Sequence, residues 1–330
     1  MPSLKILILR FSSMGDIVLT SPVIRCLKAK FGDKVSIQYL CKSSFKVLLE
    51  GNPHLDKIWT FENHPTEVLI DLKAEKFDLI IDLQRNFKSK SLIRSMGIRS
   101  HRLKKLNVKK WILVNLGLDL LPSRHIVERY MDTIQELDVE LDTKGLDYFI
   151  PESVRSANAF PIPVPSKYVL FALGGAHLGK RMTATQWSEI GIHLDKEIVL
   201  IGGKEDSSEA EAISTAIGKP AYNLCGKLSI HQSALLAEKA GAVLTGDTGM
   251  MHIASAFKAK IVSVWGCTVP KFGMYPFRPN PKSVILEPTQ LKRRPCSKLG
   301  NRCKYGMNNR CITHLDNREI ADAVLKLLEE

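Results

Sequence analysis

The 330-residue chain lacks any apolar run of the roughly 18–20 residues that a membrane-spanning helix needs. Its N-terminal apolar run is only a few residues long and ends at Arg10, which predicts a buried strand and no signal peptide. The 7 cysteines are an odd number in a large chain without a recognisable leader, which predicts reduced thiols and a cytoplasmic protein. We therefore expect neither an integral membrane protein nor a disulfide-stabilised secreted domain.

Two common nucleotide-binding fingerprints are also missing. No strand is followed by G-x-G-x-x-G, which argues against a nicotinamide-dependent oxidoreductase, and no glycine-rich loop ends in the Lys-Ser/Thr pair of a P-loop. The chain has no RNP-like aromatic strand, helix-turn-helix pattern or paired zinc fingers. We expect no nucleic-acid partner, although a nucleic-acid-binding basic α/β protein stays open as an alternative because the chain is strongly basic.

Acidic residues are absent from residues 83–118, and the net charge of the whole chain is +13. Such a balance calls for an anionic partner, and an anionic leaflet contributes about 1 kcal/mol per nearby Lys or Arg. We expect this segment to face an anionic acceptor and to dock on the cytoplasmic face of the inner membrane; a merely solvated basic face is the alternative. Its basic residues are Arg85, Lys88, Lys90, Arg94, Arg99, His101, Arg102, Lys104, Lys105, Lys109 and Lys110.

Short apolar runs alternate with helical patterns along most of the chain, which predicts parallel strands joined by crossover helices. A proline-rich stretch from Pro151 to Pro165 interrupts the alternation and is typical of a linker. We predict an N-terminal domain over 1–160 and a C-terminal domain over 166–330. Strands are predicted at 5–9, 35–40, 79–83, 168–173, 197–201, 242–244 and 260–265, and helices at 17–30, 185–194, 207–217 and 317–328.

The most informative turn follows the apolar strand at 242–244. It reads Gly-Asp-Thr-Gly-Met-Met-His from Gly246 to His252 and opens a helix. Strand, glycine-flanked turn and helix start together present backbone N–H groups to an anion. Asp247 is a good N-cap candidate, and Thr248 and His252 share one helix face because they are four residues apart. A diphosphate bound there would meet amides, a hydroxyl and an imidazole.

The first strand is followed by a turn with Ser12, Ser13 and Gly15, and Asp16 stands in the first turn of the next helix. A carboxylate in that position either complements the helix dipole or acts as a general base toward an acceptor hydroxyl. The residues alone leave both interpretations open.

Two more polar turns follow strands in the second half. Residues 174–181 contain three glycines and end in Lys180 and Arg181, which suits contact with a phosphate, although an incidental surface loop is the alternative. Glycines 202 and 203 precede Glu205 and Asp206, an acid pair that either accepts from ribose hydroxyls or simply begins a solvated helix.

These turns, in this order, resemble glycosyltransferase family 9, the bacterial lipopolysaccharide heptosyltransferases. The resemblance covers essentially the whole chain. It rests on Ser-Ser-Met-Gly-Asp at 12–16, on Lys180-Arg181 before a Trp-bearing helix, on Ile-Gly-Gly at 201–203, and most specifically on Asp-Thr-Gly-Met-Met-His-Ile-Ala at 247–254.

The resemblance implies an α/β fold of GT-B type, with two Rossmann-like doubly wound domains facing across a cleft. It implies an inverting, metal-independent transfer without a cofactor, moving a sugar, typically heptose from ADP-heptose, to an anionic glycolipid acceptor of the lipid A-Kdo type. Asp16 matches the base, and Lys180 matches the lysine at the donor phosphates. A nucleotide-sugar-binding protein without transferase activity is the alternative. We also expect donor contacts from Glu205, Asp206, Asp247, Thr248, Gly249 and His252, and acceptor contacts from Ser12, Ser13, Arg85 and Lys88.

The C-terminal tail contains Cys296, Cys303 and Cys311, followed by His314. Three thiols and an imidazole match a Cys₃His zinc set in type, but the spacing C-x₆-C-x₇-C lacks the close cysteine pair typical of such sites. We therefore expect separate buried or loop thiols here, and no metal.

Overall fold

The computed structural model describes residues 3–218, 220–304 and 311–329. Over these residues the strands are β1 (Leu4–Leu9), β2 (Val35–Lys42), β3 (Lys57–Phe61), β4 (Leu79–Asp82), β5 (Ser100–Arg102), β6 (Val169–Ala172), β7 (Ile198–Ile201), β8 (Ala221–Asn223), β9 (Ala242–Gly246), β10 (Ile261–Val264) and β11 (Val284–Leu286).

The helices in the same ranges are α1 (Met14–Val18), α2 (Ser21–Phe31), α3 (Leu69–Ala74), α4 (Phe87–Met96), α5 (Asn107–Leu116), α6 (Ile126–Met131), α7 (Glu152–Ala157), α8 (Ala184–Leu194), α9 (Ser207–Ile217), α10 (Ile230–Lys239), α11 (Gly249–Ala256) and α12 (Asn317–Leu328). Short 3₁₀ turns lie at Gly32–Lys34, Ser43–Leu48, Pro65–Val68, Asp132–Leu137, Leu178–Lys180, Lys204–Asp206, Pro270–Phe272 and Ile312–His314. Among these elements we find no helix whose length and apolar character would let it cross a bilayer.

The chain divides into two compact units. The first consists of Met1–Lys105 and Arg124–Pro151, and the second of Leu106–Ser123 and Glu152–Glu330. Residues 106–123 and 152–160, which we predicted to lie in the N-terminal domain, therefore group with the second unit. The first of these segments does so because Leu113 of α5 buries its side chain against Val269 and Phe272.

The first unit is built on a parallel sheet in the order β3-β2-β1-β4-β5. The central strand β1 is fully buried from Ile6 to Leu9, as expected where both faces of a sheet are covered. The helix predicted at 17–30 is two helices, because α1 ends at Val18 and α2 restarts at Ser21. Pro22 explains the break, since it supplies no N–H to the preceding turn and prefers the first turn of a new helix.

The second unit is a parallel sheet in the order β11-β10-β9-β6-β7-β8, so its first and fourth strands, β6 and β9, are neighbours at the centre. Alternate residues of β6 face opposite layers: Phe171 packs with Trp187 of α8, at 4.9 Å between ring centroids, while Leu170 packs with the layer that contains Ala254 of α11. This is the doubly wound arrangement that the alternating pattern predicted.

Candidate active site

In the first unit, the carboxyl ends of β1 and β4 lie side by side, because Leu9 is paired with Asp82. The two following segments are tied together: the Phe11 N–H donates to Gln84 Oε1 at 2.9 Å, and Arg10 Nη1 donates to the Leu83 carbonyl at 2.7 Å. The order in which successive strands join the sheet reverses between these two parallel neighbours, and open α/β sheets bind ligands at such a switch point. The turn that carries Asp16 thus starts at the edge that also carries residues 83–85.

Asp16 is held by both of its carboxylate oxygens. Arg10 Nη2 lies 2.7 Å from Oδ1, while Oδ2 accepts from the Ser13 amide at 3.2 Å and from Ser13 Oγ at 2.8 Å. The Asp16 side chain keeps 19% of its surface exposed. Because a carboxylate oxygen accepts about two hydrogen bonds, Ser13 fills Oδ2, whereas Oδ1 has Arg10 as its described partner and room for one more donor.

The pKa of Asp16 lies below its ordinary value of 3.8. Burial by itself raises this pKa, but the charge of Arg10 and the hydrogen bonds from Ser13 outweigh burial. The pKa of Arg10 is raised: burial lowers it, and the nearby Tyr130 and Asp16 more than compensate. At neutral pH the carboxylate of Asp16 is therefore ionised, and Arg10 holds its Oδ1 in position. The sequence analysis did not predict this role for Arg10.

The predicted acceptor-binding residues have partners within the first unit. The carbonyl of Ser12 accepts from Arg10 Nε at 2.9 Å, and Ser13 supports Asp16 as described above. Arg85 donates its backbone N–H to Asp82 Oδ1 at 2.6 Å and its Nη1 to the Leu103 carbonyl at 2.5 Å, which places it at the end of β4 and β5. Lys88 Nζ reaches the Asn63 carbonyl at 2.7 Å, in the loop after β3.

Residues 83–118 do not form one basic face. Arg99 pairs with Glu136 at 2.7 Å, and Arg102 pairs at 3.2 Å with the fully buried Asp82. The last part of the segment, α5, belongs to the second unit. The lack of acids along the segment is thus offset by acids from elsewhere in the first unit.

In the second unit, the loops after β6 and β9 meet through Lys180 and Asp247. Lys180 Nζ lies 2.7 Å from Asp247 Oδ2, and Thr268 Oγ1 donates to the same oxygen at 2.9 Å. The two backbones are also close, because a Cβ added at Gly246 would stand 2.5 Å from the Lys180 carbonyl oxygen. Both charged side chains remain partly exposed, Lys180 by 20% and Asp247 by 10%. Lys180 therefore stands at the topological switch point of the second sheet, between β6 and β9.

The N-cap of α11 is Thr248, so the prediction of Asp247 as the cap is wrong. Thr248 Oγ1 accepts from the Met251 N–H at 3.4 Å and lies 3.0 Å from Thr245 Oγ1. Asp247 lies one residue before the cap, and its Oδ2 is engaged by Lys180 and Thr268. Gly249 begins α11 and is half-buried, which leaves the first amides of the helix within reach of a ligand.

His252 and Asp206 are buried, whereas Glu205 is exposed. His252 is only 2% exposed and lies inside the unit. Asp206 is fully buried: Arg181 Nη2 lies 2.6 Å from its Oδ1, and the Gly203 N–H donates to its Oδ2 at 2.8 Å. Asp206 therefore fixes its own turn and Arg181 from a buried position, and its contact with the nucleotide stays a prediction. Glu205 is exposed and stays a candidate for the nucleotide.

Four cysteine sulfurs of the second unit converge. The Sγ atoms of Cys267, Cys296, Cys303 and Cys311 all lie within 4.8 Å of one another. The expectation of separate thiols is therefore not met, and Cys267 takes the place that His314 was given in the Cys₃His set. Sequence reasoning missed Cys267 because it lies far ahead of the tail, directly after β10 and Gly266.

Comparison with known proteins identifies the family to which the chain belongs. The model of glycosyltransferase family 9 (heptosyltransferase) matches residues 67–304. Lipopolysaccharide heptosyltransferase 2 of Escherichia coli K12 is 25% identical over 297 residues, which cover 82% of this chain and 84% of that protein.

Two solved structures share the fold. A family 9 glycosyltransferase from Veillonella parvula superposes with a TM-score of 0.81 at 19% identity, covering 100% of this chain and 98% of its own. The E. coli ADP-heptose lipopolysaccharide heptosyltransferase II gives 0.76 at 20% identity, with 99% of each chain covered. The predicted GT-B fold class is confirmed. The chain belongs to glycosyltransferase family 9, the heptosyltransferase family, and is a glycosyltransferase.

Proposed function

We propose that the protein transfers heptose from ADP-heptose to an anionic lipopolysaccharide-core acceptor, with inversion at the anomeric carbon. The relatives named above support this choice of donor and acceptor. The observation that carries it is the Lys180 ammonium, held 2.7 Å from Asp247 next to the first turn of α11. A cation and open helix amides together suit the diphosphate of a nucleotide sugar.

On the donor side, the leaving group is the nucleoside diphosphate. As the bond between the anomeric carbon and the phosphate oxygen breaks, negative charge grows on the diphosphate, and Lys180 and the first amides of α11 stabilise it. Asp247 acts as a positioning residue, since its own charge repels phosphate but its carboxylate holds the Lys180 ammonium in place. No added Mg²⁺ is needed for this charge stabilisation.

On the acceptor side, Asp16 takes the proton of the attacking hydroxyl through its Oδ1. The hydroxyl oxygen bonds to the anomeric carbon, and the proton moves to the carboxylate as that bond forms. A carboxylate with a lowered pKa is a weak base, but the hydroxyl becomes acidic once it begins to bond to carbon, so the transfer is late. A positioned base of this kind contributes about 10²–10⁴-fold in rate.

The two roles are separated by two substitutions. Asp16→Asn should lower kcat by about 10²–10⁴-fold and leave the Kd of ADP unchanged. Lys180→Met should weaken ADP binding by about 10–100-fold, since a hydrogen bond to a charged group is worth about 1.5–3 kcal/mol. Calorimetric ADP titration and initial rates with ADP-heptose measure both effects. The exposed Lys196→Met serves as the charge-matched control.

Wild-type turnover in Asp16→Asn would remove the base assignment, and wild-type ADP affinity in Lys180→Met would remove the donor assignment. The donor nucleotide is tested by thermal shift with ADP-, GDP- and UDP-sugars. A ligand at a hundred times its Kd adds about 2.7 kcal/mol to the free energy of unfolding, so only the bound class should raise Tm clearly.

We also propose that α5 and the residues after it contact the membrane that carries the acceptor. Leu113 anchors α5 inward, while five apolar side chains point to solvent with more than half of their surface exposed. These are Val108, Trp111, Leu116, Leu118 and Leu120. Exposed apolar patches mark interaction sites, and tryptophan with nearby lysine is typical of membrane interfaces.

Beside α5 lies a cavity of about 470 Å³ whose lining is strongly basic and suits an anionic headgroup. Its basic residues are Lys292, Arg293, Arg294 and Lys304. Co-sedimentation with phosphatidylglycerol vesicles should exceed that with phosphatidylcholine vesicles and should fall in a Trp111→Ser, Leu116→Ser variant. Binding that ignores both lipid charge and the substitutions would contradict this contact.

A further inference from the structure

The four converging cysteines of the second unit have the dimensions of a mononuclear metal site. Their sulfurs lie within 4.8 Å of one another, and Cys296 Sγ is 3.5 Å from Cys311 Sγ. A tetrahedron with metal–sulfur bonds of about 2.3 Å has edges of about 3.8 Å, inside this range. A disulfide needs about 2.05 Å between sulfurs, and these cysteines are free thiols.

We infer that Cys267, Cys296, Cys303 and Cys311 bind one zinc or iron ion as a tetrahedral four-thiolate site. Soft thiolate ligands in this geometry select these metals. The other cysteines supply an internal contrast, since Cys26, Cys41 and Cys225 are buried in the apolar cores and are not part of the group.

The protein scaffold around the thiols is already in place. Arg294 clamps the chain on either side of Cys267, donating Nε to the Gly266 carbonyl at 2.7 Å and Nη2 to the Thr268 carbonyl at 3.0 Å. The Cys296 N–H donates to the Cys267 carbonyl at 2.8 Å. Cys267 is completely buried. Such outer contacts fix the direction of the first ligands, as they do in known metal sites.

The three tail cysteines differ in burial. Cys296 and Cys311 are buried, and Cys303 is half-buried, so the sulfur of Cys303 offers a side from which an ion can enter. Four thiolates fill a tetrahedron and leave no open position for a substrate. The ion is therefore structural, and it takes no part in the transfer chemistry.

The site lies directly behind the loop that carries Lys180. A Cβ added at Gly179 would stand 2.7 Å from Cys267 Sγ, and one at Gly300 would stand 2.8 Å from Lys180 Cγ. The Cys267 N–H donates to the Gly179 carbonyl at 2.9 Å. Binding of the ion would fasten the tail, including Gly300, against the Lys180 loop. This positioning consequence rests on the proposed function, whereas the metal site itself does not.

Metal content tests the inference without any use of glycosyl transfer. The 330-residue chain is purified without a histidine tag and without chelator from medium supplemented with zinc and iron. Elemental mass spectrometry should then find about one metal ion per chain. Cys303→Ser should lose most of the metal, and the buried Cys225→Ser control should keep it. Cys303 is the least buried of the four, which limits damage to the fold.

A second measurement covers the case in which Cys303→Ser does not fold. Wild-type protein, stripped of metal and reconstituted with Co²⁺, should show the strong visible and sulfur-to-metal charge-transfer bands of a tetrahedral thiolate site. Four thiols should become reactive toward a thiol reagent on stripping. The inference would be overturned if the wild-type protein contained no metal and also failed to bind Co²⁺. It would also be overturned if the mass of the purified protein were lower by the hydrogens that a Cys296–Cys311 disulfide removes.

The positioning consequence has its own readout. Metal-depleted protein should bind ADP several-fold more weakly, and added zinc or iron should restore the affinity. Unchanged ADP affinity would remove the link to Lys180 and leave the metal site standing. A protein that binds one metal ion but transfers no heptose would refute the proposed function alone, so the two failures are distinguishable.

Discussion

Replacing Gly246 by alanine tests whether the end of β9 sets the position of Lys180. A Cβ at Gly246 would lie 2.5 Å from the Lys180 carbonyl oxygen, so the two backbones must separate by 0.5–0.9 Å to reach a contact of 3.0–3.4 Å. A misplacement of about 1 Å near a reacting group costs roughly 10²-fold. We expect kcat/KM for the donor to fall by about 10–100-fold.

The same clash lowers stability, because overpacking costs about 1–3 kcal/mol, with Tm falling by about 2–4 °C per kcal/mol in a unit of this size. Gly241→Ala at the other end of β9 is the matched control. Its Cβ would meet Leu328 Cδ2, the end of a flexible side chain, at 2.8 Å and the Tyr168 carbonyl at 3.4 Å. Thermal unfolding, ADP calorimetry and initial rates separate the two effects.

The outcomes discriminate clearly. Gly246→Ala should lose both stability and donor affinity, whereas Gly241→Ala should lose at most stability. If Gly246→Ala bound ADP and turned over donor like the wild type, the close approach of β9 to Lys180 would have no functional meaning. If Gly241→Ala lost as much donor affinity, the effect would be a general loosening of the unit.

Further substitutions test individual contacts. The charge of Arg10 holds the pKa of Asp16 below 3.8 although burial raises it. The acid limb of the kcat/KM profile, where this carboxylate becomes protonated, should therefore lie below pH 3.8 in the wild type and move to higher pH in Arg10→Gln. An acid limb at the same pH in both proteins would contradict the pairing. Arg25→Ala removes two hydrogen bonds to Asp142, both at 2.8 Å. In denaturant unfolding the free energy of unfolding of the first unit should fall by at most about 1.5–3 kcal/mol, because solvent screens the partly exposed Asp142. Arg181→Met leaves the buried Asp206 without its cation and should cost about 3–5 kcal/mol, whereas the double variant with Asp206→Asn should recover part of this loss.

Local patterns predicted several elements well. The helices at 207–217 and 317–328 have the predicted bounds, because apolar spacing and capping depend on neighbours within about four residues. The predicted helix at 17–30 failed at Pro22, a break that lies within the same local range and was visible in the sequence. The family resemblance came from turns of the same kind, each short and each following a strand.

Errors arose where a distant residue competes for a side chain. Asp247 has the right type for an N-cap, but its Oδ2 faces Lys180 from another loop, and Thr248 caps α11. Asp206 stands at the start of a helix as predicted, yet Arg181 draws it into the interior. Such competition depends on which strands are neighbours in the sheet, and the spacing of residues within one segment does not predict it.

The sequence by itself determined the alternation of strands and helices, the glycine-bearing turns at strand ends and the presence of Asp16 and Lys180 in two of them, because these features rest on contacts between near neighbours in the chain. Only the tertiary structure decided that β6 lies beside β9, that Arg10 aims Asp16, that α5 joins the second unit, and that Cys267 meets three cysteines of the tail. These outcomes depend on how the strands order themselves as their apolar faces are buried. Burial is non-directional, so the choice is made by the packing of whole elements rather than by any one segment.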